Sequence, residues 1–128
     1  MHRTQKPRLL FKVLYIKMEN TIFDEIVNSR VEKIKKILVA KATEYASKTD
    51  RFHNFNIAGR VAGTTPEKAL YGMMLKHEVS VLDLIEMADS EPWKLNETLI
   101  DEKIGDNINY LILLEGLLKQ RCITKKCT

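Results

Sequence analysis

Apolar residues recur every three to four positions along most of this chain, a spacing typical of amphipathic α-helices. The pattern predicts a long helix over residues 21–47, a short helix over 57–62, and two more long helices over 66–89 and 96–120. From Met18 onward no segment shows the alternation of a β-strand. We therefore expect an all-α fold, a helical bundle of three long helices plus a short helix.

The segment between the first two helices and the start of the third carry their own signals. Residues 49–55 (TDRFHNF) break the helical periodicity and predict an ordered loop. Gly63 can close the short helix in a left-handed conformation. Thr65 is placed to cap the third helix, with Pro66 at its first position, where the missing N–H costs nothing.

The second half of the last helix, YLILLEGLL at residues 110–118, is apolar on nearly every side. A helix of this kind is buried all round. It is therefore either the central helix of the bundle or part of an interface between subunits, and we favour a homodimer.

Charge is concentrated at one end of the chain. The 128 residues carry a formal charge of +4, but residues 1–17 contain five basic residues and no acid, which leaves 16 basic against 17 acidic residues elsewhere. This near-neutral body argues against nucleic-acid binding. No apolar run approaches the roughly 20 residues of a membrane span, so we expect a cytoplasmic protein without membrane contact.

The same pattern suggests the domain limits. Residues 1–17 are interpreted as a basic leader, poorly ordered or preceding a natural start at Met18. Residues 18–121 form one helical domain, and 122–128 a polar tail. Cys122 and Cys127 in that tail have no second cysteine pair or histidine nearby, so we expect reduced thiols rather than a zinc site.

His77 is the most informative single position. It lies at the centre of the apolar stripe of the third helix, which runs from Leu70 to Ala88, so helical periodicity buries it. It is either a core histidine with satisfied nitrogens or a catalytic group accompanied by Glu78, at the edge of the same face.

On the last helix, Glu102, Asp106 and Asn109 share one side that continues into apolar Leu113. They form either a solvated face that dips into an interface or the wall of an enclosed site shared with His77. In the second case, Glu78, Glu102 and Asp106 could hold Mg²⁺.

Further candidates for substrate binding lie on the first helix and in the loop. Lys41 falls on the apolar stripe, so its side chain either extends past the edge of the core or meets a phosphate. In the loop, the aromatic pair Phe52 and Phe55 either clamps a base or plugs the end of the bundle. The polar loop residues that could contact a substrate are Arg51, His53 and Asn54.

Three segments, KATEYASKTDRFHNF, TTPEKALYGMMLKHEVSVLD and DEKIGDNINYLILLEGLL, together resemble a family of small phage and prophage proteins of unassigned role. More loosely, HEVSVLD followed by EKIGDNINYL is similar to the two motifs of the MazG-like nucleoside triphosphate pyrophosphohydrolases. That all-α superfamily holds Mg²⁺ with a Glu-Glu-x-x-Glu and a Glu-x-x-Asp motif. Glu78 and Asp106 match these motifs, whereas His77, Val81 and Lys103 stand where the superfamily has carboxylates.

The resemblance implies a phage-type nucleotide-binding protein, at most a divergent metal-dependent NTP or dNTP pyrophosphohydrolase. Glu78 and Asp106 would then hold Mg²⁺, with Glu102 as a substitute ligand. His77 would position or deprotonate water, Lys41 would contact phosphate and Asn109 would support the site. The alternative is a non-enzymatic helical protein-interaction module of phage or prophage origin.

Overall fold

The computed structural model of the protein describes residues 17–40 and 50–126. These residues form helices α1 (Asn20–Lys35), α2 (His53–Ala62), α3 (Pro66–Ser90) and α4 (Glu97–Lys126), with a π-helical segment at Lys36–Ala40 and a 3₁₀ turn at Pro92–Lys94. No strand occurs within these two ranges. The all-α prediction is therefore confirmed for this part of the chain.

The chain divides into two compact units, residues 1–31 and 32–128. In the first unit, the described residues contain the beginning of α1, whose apolar side chains at Ile22, Phe23, Ile26 and Val27 are exposed. In the second unit, α3 packs against both α2 and α4. The central position that the sequence suggested for the last helix therefore belongs to α3.

The buried core lies where α3 meets its neighbours. Leu70, Met74 and Leu84 of α3 are buried together with Leu117 of α4, and Leu70 is completely inaccessible. The predicted apolar stripe of α3 thus faces the core over most of its length. Three members of the predicted stripe, Met73, Ile85 and Ala88, are exposed instead.

The predicted helix boundaries around residues 62–66 are confirmed. Gly63 adopts a left-handed conformation with φ of 66° and ends α2. The Thr65 hydroxyl accepts a hydrogen bond of 3.2 Å from the Lys68 amide, and Pro66 is the first residue of α3. These caps satisfy backbone groups that a helix end would otherwise leave unpaired.

Three other boundaries differ from the prediction. The α-helical geometry of α1 changes to π-helical geometry at Lys36. Helix α2 begins at His53, so the loop is shorter than expected. Helix α4 starts after a cap, in which Asn96 Oδ1 accepts from the Leu99 amide at 2.9 Å, and continues to Lys126. Cys122 therefore lies in the helix, since neither glycine nor proline follows Gln120 to end it.

The apolar second half of α4 is only partly covered by its own chain. Leu117 is buried, whereas Leu111 and Leu118 are each about half exposed. Within the single chain, this half of α4 is therefore not buried on every side, because α3 covers it on one side only.

Some predictions concern residues outside the described ranges. These are the leader at residues 1–16, the end of the first helix at residues 41–47, and Cys127. Within the described ranges, none of the helices combines the length and the apolar character needed to cross a membrane.

A close approach between α2 and the start of α3 depends on a glycine. Gly59 is buried, and a Cβ atom placed there would lie 2.9 Å from Pro66 N and 2.9 Å from the Thr65 carbonyl carbon. Both atoms belong to the backbone and cannot rotate away. The packing of α2 against α3 therefore requires that residue 59 have no side chain.

We expect Gly59→Ala to lower the free energy of unfolding by about 1–3 kcal/mol, because the new methyl group forces the two backbones apart. Gly72→Ala is the matched control. At Gly72, within α3, an added Cβ meets nothing within 4 Å, and alanine should stabilise the helix by about 0.5–1 kcal/mol. Urea denaturation followed by circular dichroism measures both changes. A Gly59→Ala protein as stable as the wild type would contradict the close approach.

Candidate functional site

A cavity of about 460 Å³ lies among the π-helical segment, the start of α2, α3 and α4. Its volume falls within the range of small-molecule binding sites. Five of its polar lining residues were predicted from the sequence to belong to a site, namely Arg51, Asn54, His77, Asp106 and Asn109. The others are Ile37, Leu38, Phe55, Met73, Tyr110 and Leu113.

His77 and Asp106 meet across the gap between α3 and α4. The distance between His77 Nδ1 and Asp106 Oδ2 is 3.4 Å, which is longer than a well-formed hydrogen bond. The His77 side chain is 19% exposed and that of Asp106 is 42% exposed. The Nδ1 side of the imidazole therefore faces α4.

Two more residues of α4 position His77. Asn107 Nδ2 donates a 3.0 Å hydrogen bond to the backbone oxygen of His77. The Tyr110 ring packs on the imidazole, with a centroid distance of 4.9 Å and an interplanar angle of 31°. The imidazole is therefore held by contacts with α4 as well as by its own helix.

Asn109 carries an unusual polar atom. Its Oδ1 is buried and has no hydrogen-bond partner in the described structure. Leaving a buried acceptor unsatisfied costs about 1–3 kcal/mol, and native proteins contain few such atoms. Asn109 lines the cavity, but its Oδ1 faces neighbouring protein atoms rather than the open space, so a ligand could reach this oxygen only after the amide rotates.

Asp50 fixes the chain where it enters α2. Its carboxylate accepts hydrogen bonds of 2.9 Å from the Phe52 amide and from Asn56 Nδ2. This local turn explains why α2 begins at His53 rather than four residues later. The neighbouring Arg51 donates a 2.8 Å hydrogen bond from Nη2 to the Leu38 carbonyl oxygen, which joins the start of α2 to the π-helical segment.

An ion pair from the preceding turn of α1 also anchors the π-helical segment. Lys33 Nζ lies 2.6 Å from Asp101 Oδ2 on the first turns of α4. Together with Arg51, this ion pair holds the chain before and within the segment that places Ile37 and Leu38 against the cavity. π-Helical turns are rare and are often found at functional sites.

The two loop aromatics have different surroundings. Phe55 lines the cavity. The Phe52 ring lies against Gly116 of α4, where its Cζ is 2.7 Å from the position that a Cβ would occupy. The sequence left two roles open for this pair, clamping a base or plugging the end of the bundle. The position of Phe55 is compatible with contact to a ligand, whereas Phe52 packs between helices.

The other site candidates among the described residues do not line the cavity. Glu78 is 3.5 Å from the Tyr71 hydroxyl, Glu102 is exposed beside Lys103, and His53 is exposed. Lys41 lies outside the described residues. Glu78, Glu102 and Asp106 do not form a cluster: across residues 17–40 and 50–126, no three His, Cys, Asp or Glu side chains are placed to hold a metal ion.

Tyr110 is a polar cavity residue that the sequence did not single out as a site candidate. It follows Asp106 by four positions and therefore shares its side of α4, a spacing that could have revealed it. Burial, and secondarily the negative charge of Asp106, raise the pKa of its phenol above 10.0. The hydroxyl therefore remains protonated near neutral pH and can donate a hydrogen bond.

The chain was compared with protein-family models, curated proteins and solved structures, and no match was found in any of the three. The resemblance to phage proteins and to MazG-like enzymes therefore stays a prediction from the sequence.

We expect Asp106→Asn to lower the pKa of Tyr110 while leaving it above its ordinary value, because the charge is removed and the burial stays. Ultraviolet titration of tyrosinate measures this pKa, and Tyr110→Phe identifies the signal. Asp83→Asn, at an exposed position of α3 outside the cavity, is the matched control. An unchanged Tyr110 titration in Asp106→Asn would contradict the proximity of the two groups.

The same shift has a consequence for stability. Because the folded-state pKa of Tyr110 exceeds 10.0, the protonated phenol contributes stability that is fully present below pH 10 and lost as the pH rises through the folded-state pKa. Tyr110→Phe should therefore lose less stability than the wild type over that alkaline range.

Proposed function

We propose that the protein binds a nucleotide in the cavity lined by His77, Asp106 and Asn109. The observation that carries this proposal is a cavity of ligand size whose lining combines the Phe55 and Tyr110 rings with the polar groups of Arg51, His77 and Asp106. A concave, mostly apolar space with a few converging polar groups is the usual form of a small-molecule site.

The lining suits the two chemically different parts of a nucleotide. Phe55 and Tyr110 offer aromatic rings and Met73 and Leu113 apolar surface, which fit a flat base. Arg51 is the cationic side chain of the lining, and a guanidinium can bind phosphate through charge-assisted hydrogen bonds. We assign the phosphate to the side of the cavity where Arg51 lies.

We further propose that the protein hydrolyses the bound NTP or dNTP to a nucleoside monophosphate and pyrophosphate. The contact between His77 and Asp106 supports it, because a carboxylate can orient an imidazole that accepts a proton from water. The water oxygen would bond to the α-phosphorus, and pyrophosphate would leave with the electrons of the broken P–O bond. The carboxylates expected to hold Mg²⁺ do not come together, so we assign no step to a metal ion.

We expect Arg51→Ala to weaken nucleotide binding by roughly ten- to a hundred-fold, the loss typical of a hydrogen bond to a charged group. Nucleoside binding should change much less, because a nucleoside has no phosphate. Isothermal titration of both ligand types measures this difference and separates a lost phosphate contact from a damaged fold. Arg60→Ala, at an exposed position of α2, is the matched control.

The same preparations test catalysis. Wild-type protein is incubated with a panel of NTPs and dNTPs and with Mg²⁺ or Mn²⁺, and pyrophosphate release is assayed. Asp106→Asn should abolish any release that is found. The absence of both binding and nucleotide-dependent stabilisation would overturn the proposal.

We also propose that the protein is a homodimer that uses the exposed apolar residues of α4. Leu111 and Leu118 are seven residues apart, which places them on one side of the helix, and both are about half exposed. The same surface would serve the alternative function, a non-enzymatic module that docks another protein. Exposed apolar patches often mark such contacts.

We expect wild-type protein to have twice the 14.8 kDa mass of one chain by size-exclusion chromatography with light scattering. The double variant Leu111→Lys with Leu118→Lys should be monomeric, because two charges would be buried at the interface. Val61→Lys, at a highly exposed position of α2, should leave the mass unchanged. A wild-type protein of 14.8 kDa at micromolar concentration would contradict the dimer.

A further inference from the structure

Five residues of α4 recur at every seventh position and form what we call the α4 stripe, namely Glu97, Ile104, Leu111, Leu118 and Lys125. Positions seven apart lie on nearly the same side of an α-helix, with a drift of about 20° per repeat. Leu111 and Leu118 are about half exposed, Ile104 is partly buried, and both charged ends are exposed. The stripe therefore presents apolar side chains between an acid and a base.

The core lies on another side of α4. Gly105 and Leu117 of this helix are buried, and each is six positions from Leu111. Six positions correspond to about 120° around the helix, so the two buried residues flank the side opposite to Leu111. The stripe is thus an outward surface, and exposed apolar surfaces of this kind often bind another protein.

The order of residues along the stripe is complementary to its own reverse. In an antiparallel pair of α4 helices centred on Leu111, Glu97 of each copy lies opposite Lys125 of the other copy. Ile104 likewise lies opposite Leu118. In a parallel pair, Glu97 would face Glu97 and Lys125 would face Lys125, and like charges repel.

The charges beside the stripe follow the same order. Residues 97–106 contain four acids and one lysine, whereas residues 119–126 contain four basic residues and no acid. Antiparallel pairing places the acidic part of each helix against the basic part of the other. We propose that two copies of this chain pair through the α4 stripe in antiparallel orientation, about a two-fold axis at Leu111. Such an interface closes at two copies. This orientation rests on the proposed homodimer.

Cys122 makes the orientation measurable. It is exposed and lies four positions after Leu118, on the same side of α4. In the antiparallel pair it lies opposite Ile100 of the second copy, which is 22 positions away along the helix. At a rise of 1.5 Å per residue, the two Cys122 thiols are then separated by about 33 Å and cannot form a disulfide.

Oxidative cross-linking with copper phenanthroline tests this arrangement in a Cys127→Ser background. Without further change, the protein should give no disulfide-linked dimer. Adding Ile100→Cys should give a linked dimer in which peptide mapping joins residues 100 and 122, since these residues are too far apart to react within one chain. Ile100→Cys combined with Cys122→Ser is the matched control, and it should give no linked dimer.

Charge reversal tests the pairing of the stripe ends. Glu97→Lys or Lys125→Glu alone should weaken the dimer roughly ten-fold, because like charges then face each other at both ends. The double variant should recover most of the wild-type affinity, because the opposite charges are restored in exchanged positions. Sedimentation equilibrium measures the three dissociation constants. In a parallel pair neither single reversal would weaken the dimer, since like charges already face each other there.

The outcomes separate the orientation from the dimer on which it rests. A linked dimer through Cys122 alone would overturn antiparallel pairing and leave the homodimer intact. A protein of dimeric mass that gives no linked dimer with Ile100→Cys would also overturn it, because the interface would lie elsewhere. A wild-type protein with the mass of one chain would overturn both.

Discussion

The packing of α3 against α4 is the constraint on which the candidate site depends. It brings the His77 imidazole against Asp106 and Tyr110, and it lets Asn107 bind the His77 backbone. These contacts join residues about thirty positions apart in sequence. Any change that slides one helix along the other would separate the imidazole from all of them together.

The site also carries a cost to stability. A buried acceptor without a donor, as at Asn109, opposes folding, and the phenol of Tyr110 is partly buried beside a carboxylate. Proteins tolerate such departures from good packing mainly where function requires them. Both occur within one turn of α4 and line the same cavity, which is why this cavity is the favoured site.

Periodicity predicted much of the fold because burial in a helical protein follows a regular spacing. It located α3 from its caps and its apolar stripe, and it placed His77 on the covered side. It failed at Lys36–Ala40, because a rule of 100° per residue assumes α-helical geometry and a π-helical turn is wider. It also missed the early start of α2, which depends on side-chain hydrogen bonds from Asp50.

The candidate site could be predicted only in part. Spacing along one helix identified Asp106 and Asn109 as neighbours, but it also grouped them with Glu102, whose side chain is exposed and does not line the cavity. Glu78 was chosen as the chain neighbour of His77, yet adjacent residues on a helix face different directions, and its contact is with Tyr71. Contacts between helices depend on how they cross, which spacing does not encode.

The contact between Phe52 and Gly116 links a position outside the cavity to its lining. A side chain at 116 would have to displace the Phe52 ring, and Phe52 adjoins Arg51, which binds the Leu38 carbonyl. The wall formed by the start of α2 therefore depends on residue 116 having no side chain, because the Phe52 ring occupies that space. If the cavity binds a ligand as proposed, a screen of random substitutions for weakened binding would therefore also select changes at Gly116, although this residue does not line the cavity.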